Sequence, residues 1–154
     1  MTPERLTQAD DATLQALSDL CMRSKAYWGY DTDFMEACRD VLRITQAHLA
    51  QLIAVIRDGA GFAGIAVVDV SGPQADLDKL FVCPDHMGRS IGTALIHWAK
   101  TEARQAGHAK MLIESDPAAA PFYQKHGAIQ IGEAPSEAIP GRFLPLLEMP
   151  TDAP

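Results

Sequence analysis

A predicted strand, a short turn and a predicted amphipathic helix follow one another in the middle of this chain, and a second strand comes after them. Residues 75–82 have the composition of a strand, which ends at Pro84 because proline has no N–H to donate to a sheet. Residues 91 to about 106 carry apolar side chains at helical spacing, and residues 110–114 form the next short strand. Two strands joined by a crossover helix can lie parallel in one sheet. This unit therefore restricts the chain to folds in which helices pack on a sheet.

The turn between that strand and that helix has the composition of a phosphate-binding turn. Small and glycine residues occupy it, including Gly88, Ser90 and Gly92. They allow backbone N–H groups to converge on one point, and the positive end of the helix dipole faces the same point. We therefore expect a phosphate-bearing ligand here, although the turn alone does not identify it. For such a turn taken alone, a tight turn without a ligand is the alternative.

The remaining elements predict an α+β fold. Thr7, followed three residues later by Asp10, is a capping signal for a first helix that runs to about residue 24. Asp31 or Asp33 can cap a second helix that extends to residue 42. The other predicted elements are strands at residues 49–57, 62–70, 128–132 and 143–149, and a short helix at residues 118–126, with residues 133–142 as a loop. The order ααβββαβαββ predicts one mixed central sheet flanked by helices, in a single domain over residues 1–154.

The composition excludes several classes of function. The chain has 154 residues and a formal net charge of −7, so neither nucleic acid nor an anionic membrane surface is an expected partner. No apolar run approaches the length of a membrane span. Cys21, Cys38 and Cys83 form no C-x-x-C pair, so we expect no disulfide framework, no metal site and a cytoplasmic location. No residue recognisable in the sequence would activate the Cys83 thiol.

A second motif begins at Asp116 and ends at Ala128. It has the form D-P-A-A-A-P-F-Y-x-x-x-G-A, and it follows the turn M-x-x-x-x-G that runs from Met87 to Gly92. In this order and spacing, the two motifs resemble those of the GNAT superfamily of acyl-CoA N-acyltransferases, usually written Q/R-x-x-G-x-G/A and N-P-x-A-x-x-F-Y-x-x-x-G-F. The order of elements matches as well, so the resemblance covers nearly the whole chain.

The chain departs from the family pattern at four positions. Met87 stands where glutamine or arginine is usual, and Ser90 replaces a common glycine. The serine is expected to be tolerated unless it must adopt a positive φ. Asp116 stands where asparagine is common, which puts its contact with the cofactor in question, and Ala128 replaces a usual phenylalanine without an expected effect.

The resemblance implies acetyl-CoA (coenzyme A) as the cofactor and assigns residues to it. The strand before the turn would offer backbone groups to the pantetheine arm, and the turn would enclose the pyrophosphate. Tyr123 would give a proton to the expelled thiolate, since a tyrosine with a pKa near ~10 stays protonated at neutral pH. The residues implied for cofactor binding are Leu80, Phe81, Val82, Met87, Gly88, Arg89, Ser90, Ile91, Gly92, Thr93, Asp116, Ala119, Phe122 and Tyr123.

The group that removes a proton from the attacking amine has several candidates. Asp76 and Asp78 share one face of the central strand under strict alternation, and Glu114 ends the partner strand. His86 lies near the turn, and a chain of water molecules would also serve. Asp78 and Tyr123 are the predicted catalytic pair.

Three further residues are candidates for substrate binding. Trp28 and Tyr30 lie in the segment that borders the acceptor pocket in this family, or else they cover the core. Arg142 would bind an acidic group of the acceptor, or else it forms a structural ion pair.

The implied function is transfer of an acetyl group to a primary amine of a small molecule or a peptide. A non-catalytic acyl-CoA-binding regulatory module is the main alternative, and a transferase for a longer acyl chain is another. The sequence is compatible with a monomer and with a homodimer.

Overall fold

The structure is a computed structural model that describes residues 2–152 of the chain. These residues form seven strands and four α-helices, with short 3₁₀ helices at Gln46–Ala50 and Pro84–His86. In chain order the elements are β1 (Glu4–Arg5), α1 (Asp11–Ala26), α2 (Thr32–Cys38), β2 (Leu52–Asp58), β3 (Gly61–Asp69), β4 (Ala75–Val82), α3 (Ile91–Gln105), β5 (Lys110–Glu114), α4 (Ala120–Lys125), β6 (Ile129–Pro135) and β7 (Phe143–Pro150).

The strands form one mixed sheet in the order β1-β2-β3-β4-β5-β7-β6. Every neighbouring pair is antiparallel except β4 and β5, which are parallel as the strand–helix–strand unit predicts. The parallel pairing is short, because only Ala75 and Asp76 of β4 have partners on β5. Beyond Asp76 the two strands separate while β4 stays paired with β3 as far as Val82. One backbone edge of β4 is therefore left without a strand partner.

An extra residue in β4 changes the direction of its side chains near the middle of the strand. Lys79 pairs with Val67 and Leu77 with Val68, so Asp78 is the unpaired residue of a β-bulge. Before the bulge Leu77 packs with the α3 side of the core, and after it Phe81 packs with the α1 side. Strict alternation therefore does not hold along the whole of β4.

The helices cover the two faces of the sheet. One core cluster joins the apolar face of α1, including Leu17 and Leu20, to β2 and β3. The other side is filled by α3 and α4, with Leu95 and Ile96 fully buried. Gly64 of β3 lies directly beneath α3, where an added Cβ would come 2.8 Å from Leu95 Cδ1. The helix that follows the turn is thus packed closely against the sheet.

Several predicted boundaries were wrong, and local contacts explain the differences. Asp10 itself caps α1, because its carboxylate accepts a hydrogen bond from the Thr13 N–H at 2.8 Å, and Thr7 lies outside the helix. Asp31 caps α2, which ends at Cys38 rather than at residue 42. Leu42 is buried outside the helix, so its apolar character reflects packing and not helical periodicity.

The other differences are at strand and helix ends. The short strand β1 was not predicted, and α4 begins two residues later than expected, at Ala120. β6 continues to Pro135, so about a third of the expected loop is strand, paired with β7. No helix within residues 2–152 combines the length and the apolar character needed to cross a membrane.

Candidate functional site

A cavity of about 520 Å³ opens where β4 and β5 separate. The second half of β4, the following turn, the start of α3, the end of β5 and α4 line it, together with the end of α1. The residues of the predicted cofactor set in its wall are Leu80, Phe81, Val82, Met87, Gly88, Ser90, Ile91, Gly92, Thr93, Asp116, Ala119, Phe122 and Tyr123. Arg89 is exposed in the turn and is not part of the wall. The two motifs, which are separate in sequence, thus border one cavity.

The turn before α3 reverses the chain with left-handed backbone at two positions. Gly88 has φ 83°, and Ser90 has φ 65° and ψ 15°. Among residues 2–152, Ser90 is the one residue other than glycine with a positive φ. Serine was expected to be tolerated here unless it had to adopt a positive φ. Ser90 does adopt one, so its Cβ is strained in the left-handed conformation. The chain nevertheless enters the 15-residue helix α3 directly after Ser90, at the cavity wall.

Close packing also places α4 against the start of α3. An added Cβ at Gly92 would lie 3.2 Å from the Phe122 ring, so only glycine allows this approach without adjustment. The contact brings the second motif next to the turn. Tyr123 follows Phe122 and is 6% exposed.

Tyr123 has the properties of a proton donor. Burial and the negative charge of Asp116 both raise the pKa of its hydroxyl. No hydrogen bond from the described part of the chain contributes to that shift. The hydroxyl therefore stays protonated through the neutral range and is available to a group in the cavity.

Acidic side chains gather where β4 and β5 part. Asp78 and Glu114 line the cavity, whereas Asp76 does not. Burial raises the pKa of Glu114, and the charges of Glu137, Asp76 and Asp78 raise it further. Burial, followed by the charges of Asp69 and Asp78, raises the pKa of Asp76. The negative charges of Asp78 and Glu114 favour a cation in the cavity beside them. The prediction that Asp76 and Asp78 share a face assumed strict alternation, which the bulge at Asp78 interrupts.

His48 approaches Asp78 from the 3₁₀ helix before β2. Its Nε2 atom lies 3.9 Å from Asp78 Oδ2, and its Nδ1 atom accepts a hydrogen bond from the Thr45 N–H. Burial lowers the pKa of His48, and the charge of Lys79 adds to this effect. The sequence motifs did not point to His48, because its partner is distant in the chain.

Asp116 takes part in a polar cluster with Lys25, Tyr30 and Arg142. Lys25 Nζ donates to its carboxylate at 2.6 Å, and the Tyr30 hydroxyl donates at 2.8 Å. Arg142 donates to the Tyr30 oxygen at 2.9 Å and lies 3.9 Å from Asp116 Oδ2. Burial alone would raise the pKa of Asp116, but these hydrogen bonds and the charge of Lys25 lower it. The Asp116 carboxylate is therefore held by the protein.

This cluster contains two of the three predicted substrate-binding residues. Trp28 and Lys25 line the cavity, whereas Tyr30 and Arg142 are not part of its wall. Of the two roles considered for Arg142, the ion pair with Asp116 is present. Lys25 was not singled out in the sequence, because no local motif marks a lysine in the last turn of a helix.

The His86 ring lies between Cys83 and Asp58. Its Nε2 atom is 2.5 Å from Asp58 Oδ2, and interactions with Cys83 and then with Asp58 raise its pKa. Burial would raise the pKa of the Cys83 thiol, but the neighbouring His86, the Asp85 backbone and Arg23 lower it. These surroundings favour the ionised form of the thiol, and the sequence did not reveal them. Within residues 2–152, no group of three or more histidine, cysteine or acidic side chains is arranged to hold a metal ion.

Residues 49–127 match the family model of the acetyltransferase (GNAT) domain. This span begins just before β2 and includes the turn and the second motif as far as Gly127. No protein of curated function matches the chain.

Many solved structures share the fold. A GCN5-related N-acetyltransferase from Rhodopseudomonas palustris aligns with a TM-score of 0.76 at 22% identity, over 97% of this chain and 96% of its own. The PaiA N-acetyltransferase from Thermoplasma acidophilum, in complex with coenzyme A, aligns with a TM-score of 0.68 at 16% identity, over 97% and 99%. YncA from Salmonella typhimurium, with acetyl-CoA, aligns with a TM-score of 0.63 at 19% identity, over 99% and 96%.

Proposed function

Because the chain belongs to the GNAT acetyltransferase family, we propose that it transfers the acetyl group of acetyl-CoA to a primary amine. The observation that carries this proposal is the single cavity that joins the turn before α3, the open edge of β4 and Tyr123. The neighbours solved with coenzyme A or acetyl-CoA support the choice of cofactor.

Successive parts of the cavity lining suit the successive parts of acetyl-CoA. The backbone N–H groups of the turn and the positive end of α3 suit the pyrophosphate. The edge of β4 between Leu77 and Val82 has no strand partner on the β5 side, so its backbone groups are free to bond the amides of a pantetheine arm. Tyr123 then borders the thioester end. Arg89 is exposed, and its side chain would reach a phosphate only from outside the cavity.

The proposed reaction divides the proton transfers between two side chains. Asp78 removes a proton from the ammonium form of the acceptor, and the resulting neutral amine attacks the thioester carbonyl carbon. As the new C–N bond forms, the C–S bond breaks and Tyr123 donates its proton to the sulfur. The nitrogen then gives its second proton, through water, to the Tyr123 phenolate, and Asp78 releases the first proton to solvent, so both side chains return to their starting state. The Tyr123 hydroxyl is protonated at neutral pH, so its proton is present when the thiolate develops.

Replacement of Tyr123 tests the proposal against the alternative of a regulatory acyl-CoA-binding module. The strained backbone at Ser90 and the engagement of Asp116 by Lys25 are the features that favour the alternative. In Tyr123→Phe, amine-dependent thiol release should fall about 100-fold, the range for loss of a general acid, while calorimetry still detects acetyl-CoA binding. Tyr27→Phe changes an exposed ring and is the matched control. A wild-type protein that binds acetyl-CoA but acetylates no amine would support the regulatory module.

Two variants distinguish the candidate bases. Asp78→Asn should lower kcat/KM about 100-fold, the range for loss of a general base, whereas Glu114→Gln should leave it near the wild-type value. The opposite result would assign the base to Glu114, whose pKa is raised by burial and its acidic neighbours.

A further inference from the structure

Two cations share the carboxylate of Asp116 in the cavity wall, and of the two only Lys25 lines the cavity. Lys25 comes from the end of α1, Arg142 from the segment before β7, and Asp116 from the segment after β5. The side chains are 13%, 20% and 12% exposed, respectively. Within residues 2–152, no second carboxylate lies within 4.0 Å of either cation. The cluster therefore carries one positive charge in excess.

The neighbouring groups do not neutralise this excess. Tyr30 is uncharged, because burial and then the hydrogen bond and charge of Asp116 raise its pKa. Burial also raises the pKa of Cys38, which keeps that nearby thiol protonated. The Phe34 ring lies against both cations, at 5.8 Å from Lys25 Nζ and 4.8 Å from the Arg142 guanidinium carbon. A poorly hydrated surplus charge is unfavourable unless an anion approaches it.

The cluster has hydrogen-bond donors to offer such an anion. Lys25 lines the cavity and uses one of its three N–H donors on Asp116. Arg142 donates to the Tyr30 hydroxyl and does not line the cavity, so it acts on such an anion through its charge. The acidic residues Asp78 and Glu114 line the same cavity and suit an ammonium group.

We propose that the cavity takes an acceptor that carries a carboxylate as well as the reacting amine, with the carboxylate bound by Lys25 in the wall and attracted by the charge of Arg142, which lies beyond the wall, 3.9 Å from Asp116. This inference rests on the proposed acetyl transfer and specifies its acceptor as an amino carboxylate. The phosphates of acetyl-CoA are not the anion concerned, because the turn at Gly88 and Ser90 provides their site. Trp28, which is 44% exposed and lines the cavity, stands beside the acceptor.

Matched pairs of amines test the proposal. Each pair consists of an amino acid and the same molecule without its carboxylate: phenylalanine with phenethylamine, lysine with cadaverine, and serine with ethanolamine. For at least one pair, wild-type kcat/KM should be about tenfold or more higher for the amino acid, as expected for a charge-assisted hydrogen bond. Arg142→Gln and Lys25→Gln each remove one of the two positive charges, so the remaining cation and Asp116 together carry no net charge. Both variants should therefore lose the preference for the amino acid.

The ratio within a pair separates binding from structural damage. A variant that merely disturbs the fold lowers kcat/KM for both members alike and keeps their ratio. Arg39→Gln, which removes an exposed arginine paired with Glu36, is the control and should keep the wild-type ratio. Acetylation of the decarboxylated amines as fast as the amino acids would overturn the acceptor proposal alone. Failure to acetylate any amine would contradict the proposed acetyl transfer as well.

Discussion

At the scale of single residues, the three cysteines have very different surroundings. Cys21 is fully buried among apolar side chains, and burial raises the pKa of its thiol to about 12. Cys83 is also buried, yet its contacts with His86, Asp85 and Arg23 outweigh that effect and lower its pKa. Composition does not distinguish these two residues, since the partners of Cys83 are identified only when the turn before α3 is folded.

We expect alkylation to distinguish the cysteines. In the folded protein, iodoacetamide should modify Cys83 before Cys21 and Cys38, because the thiolate is the reactive form. The rate at Cys83 should reach half its maximum at a pH below the ordinary thiol pKa of 9.0. Peptide mass spectrometry after timed quenching would measure this order, and Cys83→Ser is the control. First modification at Cys21 or Cys38 would refute the prediction.

The partners of Asp116 in its polar cluster, like those of Cys83, are distant in the chain and are identified only in the folded protein. The sequence motifs located Asp116 and Tyr123, because both belong to one contiguous pattern. They did not locate Lys25, whose bond to Asp116 spans 91 residues. Arg142 was identified with two possible roles, and only the fold shows that its ion-pair partner is Asp116.

At the scale of elements, the turn before α3 combines a predictable position with an unpredictable strain. The spacing of glycines and the following helix predicted its place. The positive φ of Ser90 was not predicted, because a serine in the sequence does not indicate left-handed backbone as a glycine does.

Ser90→Gly should stabilise the protein. Removing the left-handed strain gains about 1–2 kcal/mol, and the greater freedom of glycine in the unfolded chain takes back about 0.5–1 kcal/mol. We therefore expect a net gain of about 0.5–1 kcal/mol in urea unfolding. Ser90→Ala keeps the left-handed residue and removes a hydroxyl that makes no capping bond, so it should change stability little. A Ser90→Gly protein that is less stable than Ser90→Ala would contradict this account.

The packing of α3 on β3 gives a second prediction at this scale. In Gly64→Ala the new Cβ would lie 2.8 Å from Leu95 and 2.9 Å from Ile91, so the helix must shift. We expect a loss of about 1–3 kcal/mol in the free energy of unfolding. Acetyl-CoA should also bind more weakly, because Ile91 follows the turn directly.

Gly61→Ala on the same strand is the matched control. Its new Cβ would have one neighbour, the Asp58 carbonyl oxygen at 3.8 Å, which is an ordinary contact. Equal losses in the two variants would show that helix packing is not the cause.

At the scale of the whole molecule, the order of elements was predictable and the opening in the sheet was not. Hydrophobic periodicity and the turn residues predicted the α+β class and the parallel β4–β5 pair. The bulge at Asp78 and the end of pairing after Asp76 depend on contacts between strands that are distant in sequence. These two features create the cavity, so its acceptor side was the part of the site that the sequence defined least.

The Lys25–Asp116 pair connects α1 to the segment after β5, and it should make stability depend on pH. The Asp116 pKa is lowered in the folded protein, so its contribution is present above the unfolded pKa and lost as pH falls through the lower, folded value. At pH 7, Asp116→Asn should cost about 1.5–3 kcal/mol, the net contribution of a hydrogen bond to a charged group. The difference from wild type should shrink below about pH 3.8.

Asp40→Asn is the control for that prediction. Asp40 forms an exposed ion pair with Arg43, so its loss should cost at most about 0.5 kcal/mol at pH 7. Thermal unfolding over a pH series measures both variants. An Asp116→Asn deficit that stays constant down to pH 2 would argue against the charge as its origin.

The most direct test of acetyl transfer uses acetyl-CoA labelled in its acetyl group. The wild-type protein is incubated with this compound and with the paired amines, and the products are followed by mass spectrometry together with free thiol. We predict labelled N-acetyl product and an equal amount of released thiol, with the amino acids as the better acceptors. Acetyl-CoA that binds but transfers no label to any amine would contradict the account.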